Sequence, residues 1–161
     1  MTDYSKIHRI GVISDTHNLL RSEALNLLKG VDLILHAGDI GDRNVLAALE
    51  HVAPTYVVRG NMDREEWTES LPRTLLVEVG QVTIYMLHDL ARLDIVPQKM
   101  GVSLVVSGHT HQHREEWRGD VLFLNPGSAG PRRLNKPVSL ALVEVEGIEL
   151  RSEIILLEAS V

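Results

Sequence analysis

Ile10-Gly11-Val12-Ile13-Ser14-Asp15-Thr16-His17 carries two signals at once: an apolar, β-branched run, and directly behind it a carboxylate and an imidazole two residues apart. The run from His8 to Ile13 reads as a strand. A helical pattern follows from about Arg21 to Lys29, with Leu25 and Leu28 on one face. Leu33 to His36 reads as a second strand, and Asp42 as the N-cap of a helix running to about Val52. Tyr56 to Val58 is a third strand, and Thr74 to Val79 with Gln81 to Leu87 form a hairpin turning at Gly80. A short helix is expected over Leu93 to Met100, weakened or started by Pro97, before a buried strand at Val102 to Val106. Beyond Gly108 the pattern becomes antiparallel. Gln112 to Trp117 and Asp120 to Leu124 flank Arg118-Gly119, and Val138 to Val145 and Ile148 to Leu156 flank Gly147. The chain therefore reads as α/β, with βαβ units followed by meanders, in one domain over 1–161.

Each strand of the first part ends in a group able to bind a cation. The first ends in Ser14-Asp15-Thr16-His17, the second in Ala37-Gly38-Asp39, and the third in Gly60-Asn61. The run from Val82 ends at His88, and Val102 to Val106 leads to Gly108-His109-Thr110-His111. In open α/β sheets the ligand crevice lies beyond the carboxyl ends of the strands, so strands of one direction would bring these side chains together. Gly38, Gly60 and Gly108 each precede a ligand, where a missing Cβ lets backbone segments approach closely. Alone, an Asp-x-His or a single His88 says little. Together, Asp15, His17, Asp39, Asn61, His88, His109 and His111 overfill one coordination sphere and suit two ions. A shared carboxylate would hold these ions roughly 3.5–4 Å apart.

Composition restricts the chemistry. Cysteine is absent, which excludes disulfides, thiolate zinc sites and cysteine nucleophiles and fits a reducing cytoplasm. No N-terminal apolar core or membrane-length run is seen, so neither a signal segment nor a membrane partner is expected. The net charge of −6, from 16 basic and 22 acidic residues, argues against a grip on long nucleic acid. Phosphate chemistry in so acidic a chain requires positive charge from bound cations.

The order of these ligands resembles the signature of the calcineurin-like metallophosphoesterase superfamily: Asp-x-His, Gly-Asp, Gly-Asn, His, then Gly-His-x-His. More narrowly it resembles the small single-domain phosphodiesterases related to a retromer subunit. The likeness extends from Ile10 through Asn125-Pro126-Gly127-Ser128. It implies a fold of two mixed β-sheets packed as a sandwich and flanked by helices. It also implies that Asp15, His17, Asp39 and His111 bind one metal and that Asp39 bridges to a second, held with Asn61, His88 and His109. Oxygen and imidazole ligands favour Mn, with Fe, Ni, Co and Zn also compatible. The expected reaction is phosphodiester hydrolysis by a hydroxide bridging two metals, attacking phosphorus in line on a small substrate. The alternatives are a metal-binding interaction scaffold of the same fold, or a phosphomonoesterase or dinucleotide polyphosphate hydrolase. A homo-oligomer is left open.

Two positions depart from the superfamily pattern. Members acting efficiently on monoesters carry a His after Gly-Asn; here Met62 stands there and has no proton to give. Asp89 follows His88 where Gly is frequent. His113 and Arg59 are candidate substrate contacts. His36 and Asp63 are expected to brace their loops, and Trp67 and Trp117 to serve packing.

Overall fold

The computed structural model describes residues 6–157. Among these described residues, ten strands form two five-stranded sheets. The first sheet holds β1 (Ile7–Ile13), β2 (Leu33–His36), β3 (Thr55–Val57), β9 (Ser139–Glu146) and β10 (Glu149–Leu156), in the order β10-β9-β1-β2-β3. The second holds β4 (Thr74–Val79), β5 (Val82–Leu87), β6 (Val102–Val106), β7 (Arg114–Arg118) and β8 (Val121–Asn125), in the order β4-β5-β6-β8-β7. Within the first sheet β1, β2 and β3 are parallel, while β9 runs antiparallel to both β1 and β10. Within the second, β5, β6 and β8 are parallel and β4 and β7 are antiparallel edges. Both sheets are mixed, as the resemblance implies.

Alternation along the strands divides the core. Ile10, Val12, Leu35, Ile84, Met86, Leu104, Val106, Leu122 and Leu124 meet between the sheets. The opposite face of the first sheet, with Ile13 and Ile34, packs on two helices, α1 (Ser22–Leu28) and α2 (Arg43–Val52). Ala24 and Leu28 are the buried positions of α1, and Leu25 is only half-buried. Asp42 caps α2 as expected, accepting the backbone N–H of Asn44 at 2.8 Å. Leu87, Val105 and Phe123 form a smaller apolar layer on the outer face of the second sheet, covered by Leu90, Leu93 and Ile95.

The helix expected over Leu93 to Met100 is replaced by two 3₁₀ turns, Leu90–Arg92 and Pro97–Met100. Pro97 lacks an N–H and clashes with a preceding helical turn, so no helix passes through it. A further 3₁₀ turn, Glu66–Ser70, has no clear periodicity in the sequence. The third strand is displaced by one residue from its expected position. Among the described residues no helix is long and apolar enough to cross a membrane.

Leu104 is fully buried in the seam between the sheets. Leu104→Ala is expected to lower the unfolding free energy by about 2–5 kcal/mol through lost transfer energy and a cavity. Asp42→Ala, which removes only a cap, should cost about 1 kcal/mol. Urea unfolding of both variants measures the difference.

Candidate metal centre

The two sheets place their parallel strands so that the carboxyl ends of β1, β2, β3, β5 and β6 open onto one crevice. The seven ligands expected from the sequence all arrive there, and a hydrogen-bond ladder between loops continues past β1 and β2. Asp15 N–H donates to Gly38 O at 3.0 Å, His17 N–H to Asp39 O at 3.1 Å, and Asn18 N–H to Ile40 O at 3.1 Å. The ladder and the loops around it hold an unusual backbone. Asp15, His17, Asp39, His109 and His111 have φ of 54°, 42°, 58°, 74° and 62°. Side chains rarely adopt this left-handed region, which costs roughly 1–2 kcal/mol per residue. Such strain persists only where surrounding contacts overdetermine it, and it concentrates at functional sites. Gly60 and Gly108 permit the close packing: a Cβ on the first would collide with the Asp39 side chain, and one on the second with the Ser14 hydroxyl.

Asp15 and Asp39 share a common arrangement. In Asp15, Oδ2 accepts from the Ser14 hydroxyl at 2.6 Å and from His109 N–H at 3.0 Å. In Asp39, Oδ1 accepts from Met62 N–H at 2.8 Å. Each carboxylate is thus anchored by one oxygen and presents the other to the crevice. Asp15 Oδ1 lies 3.4 Å from His111 Nε2, 3.7 Å from His17 Nε2 and 4.0 Å from His88 Nε2. Asp39 Oδ2 lies 3.2 Å from His88 Nε2 and 3.7 Å from His17 Nε2. Two overlapping groups result, Asp15 with His17 and His111, and Asp15 with Asp39 and His88, each with its donor atoms within 4.8 Å of one another. At the mouth, Asn61 Oδ1 and His109 Nδ1 converge to 3.1 Å.

Electrostatics favour cations here. Burial opposes ionisation of Asp15, but His111, His17, His88 and Ser14 together hold its carboxyl far below the ordinary range. Burial likewise opposes the charge on Asp39, and His88 and Met62 N–H outweigh it. His88 is pushed up despite its burial, by Asp39 and Asp15. Even so, Asp15 Oδ1, His88 Nε2 and His111 Nδ1 are buried without a hydrogen-bond partner. Such groups are uncommon in folded proteins and call for an explanation, such as an ion. In His88, Nδ1 donates to Ala37 O at 2.8 Å, which leaves Nε2 with its lone pair facing Asp39. A cluster of acceptor oxygens and imidazole nitrogens, with Asp15 Oδ1 and the His88 Nε2 lone pair unsatisfied, fits divalent cations.

The bracing residues are also in place. Asp63 accepts backbone N–H groups of Asp39, Ile40 and Gly60 at 2.8–2.9 Å, tying the second and third ligand loops together. His36 is fully buried: its Nδ1 accepts from Gly38 N–H at 3.0 Å, and its Nε2 donates to Thr16 Oγ1 at 3.0 Å, which donates on to Ile40 O. Among the described residues Arg59 forms no ion pair; its Nε donates to Asp63 O at 2.9 Å. It lines a cavity of about 660 Å³ beside Asn61, His88 and His109. His113 lines a separate cavity of about 510 Å³ with Phe123 and Asn125, on the other side of Asp89. Met62 is 53% exposed, and its backbone N–H binds the Asp39 carboxylate. Trp67 packs partly on the helical core, whereas Trp117 is exposed.

Sequence reading left Ser14, Asn125, Ser128 and Lys136 without roles. Asn125 Nδ2 donates to Gly108 O at 3.0 Å, Ser128 Oγ to Asp15 O at 3.0 Å, and Lys136 Nζ to Thr110 O at 2.6 Å. Asn125 and Ser128 fall in the Asn-Pro-Gly-Ser segment of the family pattern, which was their only signal.

A model of the calcineurin-like phosphoesterase superfamily domain matches residues 9–147, and the chain belongs to that superfamily. A probable metallophosphoesterase of Methanothermobacter thermautotrophicus is 37% identical over 158 residues, covering 91% of each chain. The solved structure of an archaeal phosphodiesterase is similar, with a TM-score of 0.75 at 25% identity, over 91% of this chain and 99% of that one. Vps29 of Entamoeba histolytica, solved with zinc, has a TM-score of 0.72 at 24% identity over 91% and 98%, a likeness of fold alone.

Burial pushes the His36 imidazole down to about 4 from an ordinary 6.5. The unfolded chain therefore takes up this proton first, and His36 removes stability as pH falls from about 6.5 through about 4. The loss is about 3 kcal/mol. In metal-free protein, the stability advantage of wild type over His36→Gln should shrink by that order between pH 7 and pH 4, as measured by urea unfolding at both values.

Proposed function

We propose that the chain is a divalent-metal-dependent phosphodiesterase that acts on a small substrate and holds two cations in the crevice. The observation that carries this reading is the pair of anchored carboxylates, each with one oxygen committed and one free, the free oxygens facing the imidazoles of His17, His88 and His111. Asp15, His17, Asp39 and His111 would hold one cation, and Asp39, Asn61, His88 and His109 the other. Asp39 Oδ2 lies near both His17 and His88, so Asp39 would be the carboxylate shared between the two cations. The oxygen and nitrogen donor set favours Mn. The cations would supply the lowered water pKa and the positive charge that direct, in-line hydrolysis at phosphorus needs. The chain's own residues do the rest. Asp63 and Asn125 fix the ligand loops, Ser14 and Met62 N–H aim the carboxylates, and Ala37 O sets the His88 tautomer. The archaeal phosphodiesterase relative supports the substrate class.

Asp39→Ala is expected to lose both metals, whereas Asn61→Ala should chiefly weaken one. Elemental analysis of metal-saturated protein decides this; one ion per chain, unaffected by Asp39→Ala, would overturn the two-cation reading. Chelation should abolish hydrolysis and Mn²⁺ should restore it. The imidazoles must be neutral to bind metal, and His88 is pushed up by its carboxylate neighbours. Metal retention should therefore fall as pH drops through the histidine range, as equilibrium dialysis would measure.

Met62 bears on the leaving group. A positioned general acid contributes ~10²–10⁴-fold by protonating the departing oxygen, and a thioether cannot act in this way. Aryl diesters such as bis(p-nitrophenyl) phosphate should react much faster than alkyl diesters, with rates depending steeply on leaving-group pKa. Met62→His should flatten that dependence. A shallow slope in the wild type would assign the acid to another residue, to be sought with Asp89→Asn and His113→Ala.

A further inference from the structure

The cavity of about 660 Å³ beside Asn61, His88 and His109 has an electrostatic character opposite to that of the whole chain. Its wall carries three arginines, Arg59, Arg73 and Arg92, and one carboxylate, Asp89. The protein has a net charge of −6 and only 16 basic residues, so this is a local concentration of positive charge. The three arginines come from unrelated positions: the loop after β3, the residue before β4, and the 3₁₀ turn after β5. Arg59 is tied to Asp63 O through Nε. Arg92 is 86% exposed and approaches Asp89 only at 4.0 Å, which is worth little in water. Arg73 makes no hydrogen bond or ion pair among the described residues. A planar guanidinium with unspent donors is suited to binding phosphate oxygens.

Such an arrangement has little structural purpose. Three like charges around one cavity repel each other, and a single carboxylate compensates only part of that. The cavity is of a size that takes small ligands and is continuous with the ligands proposed for one cation. We infer that it is a second anion subsite, and that the preferred substrate is a phosphodiester carrying a further phosphate on the part retained after cleavage. The scissile phosphate sits over the crevice, and the second phosphate lies among Arg59, Arg73 and Arg92. This inference rests on the phosphodiesterase reading and narrows its substrate class. The arginines act in binding, without touching the scissile bond.

A matched pair of substrates tests it: thymidine 5′-(p-nitrophenyl phosphate) with and without a 3′-phosphate. With Mn²⁺-loaded wild type, the 3′-phosphorylated ester should show at least about a tenfold lower KM at similar kcat. The double variant Arg73→Ala/Arg92→Ala changes two exposed side chains and leaves Arg59, which braces Asp63, in place. Its KM ratio for the two esters should fall to about one. A second readout avoids the metals: calorimetry of metal-free protein with thymidine 3′,5′-bisphosphate should show binding that weakens with salt and is lost in the double variant. Equal KM for the two esters in wild type, or a preference that survives in the double variant, overturns the subsite. Metal-dependent cleavage of both esters without preference would reject the subsite and leave the phosphodiesterase reading standing. Arginine-dependent binding of the bisphosphate without hydrolysis of either ester would do the reverse.

Discussion

Two carboxylates, Asp15 and Asp39, are buried close together beyond the ends of adjacent parallel strands. Two like charges in a poorly solvated site repel, and each raises the other's cost of ionising. They are held ionised by what surrounds them: one oxygen of each is committed to a hydroxyl or backbone N–H, and the free oxygens face imidazoles. Much of the surrounding structure serves this arrangement. The left-handed residues, the ladder between the first two loops and the Asp63 clasp keep the free oxygens pointed at one space.

The scaffold supplies that precision cheaply because the ligands sit next to strand ends, where backbone direction is already set. Parallel pairing of β1 with β2 and of β5 with β6 fixes the register of the loops that follow. Buried layers on both sides of the first sheet then oppose any adjustment of these strands. His36 and Asp63 carry this rigidity outward by binding backbone groups of neighbouring loops. Both are ionisable residues used as fixed hydrogen-bonding groups, and His36 remains neutral because burial disfavours its charge.

Function follows from where charge is concentrated. The chain is acidic as a whole, so any affinity for phosphate must be local. In the proposed reading, cations held in the crevice and the arginine-lined cavity beside it would provide two separate sources of positive charge. The fold itself is shared with Vps29, and a fold hosts many functions. The completeness of the candidate ligand set and its strained backbone are what support the proposed catalytic reading over that of a docking surface.

The sequence by itself determined most strands, both helices and the strand-end positions of the seven candidate ligands. Strand periodicity is local, and a ligand placed directly after a strand keeps its position whatever the rest of the chain does. It also indicated the bracing roles of Asp63 and His36, through their place in the ligand loops. Only the tertiary structure decided which strands join which sheet and in what order, that the segment around Pro97 turns as 3₁₀, and that each carboxylate divides its oxygens between anchor and crevice. It alone brought Arg73 and Arg92 beside Arg59, and put His113 in a different cavity. Contacts of this kind join residues far apart in the chain, and no local pattern encodes them. They exist because two sheets, packed face to face, bring their strand ends to the same edge.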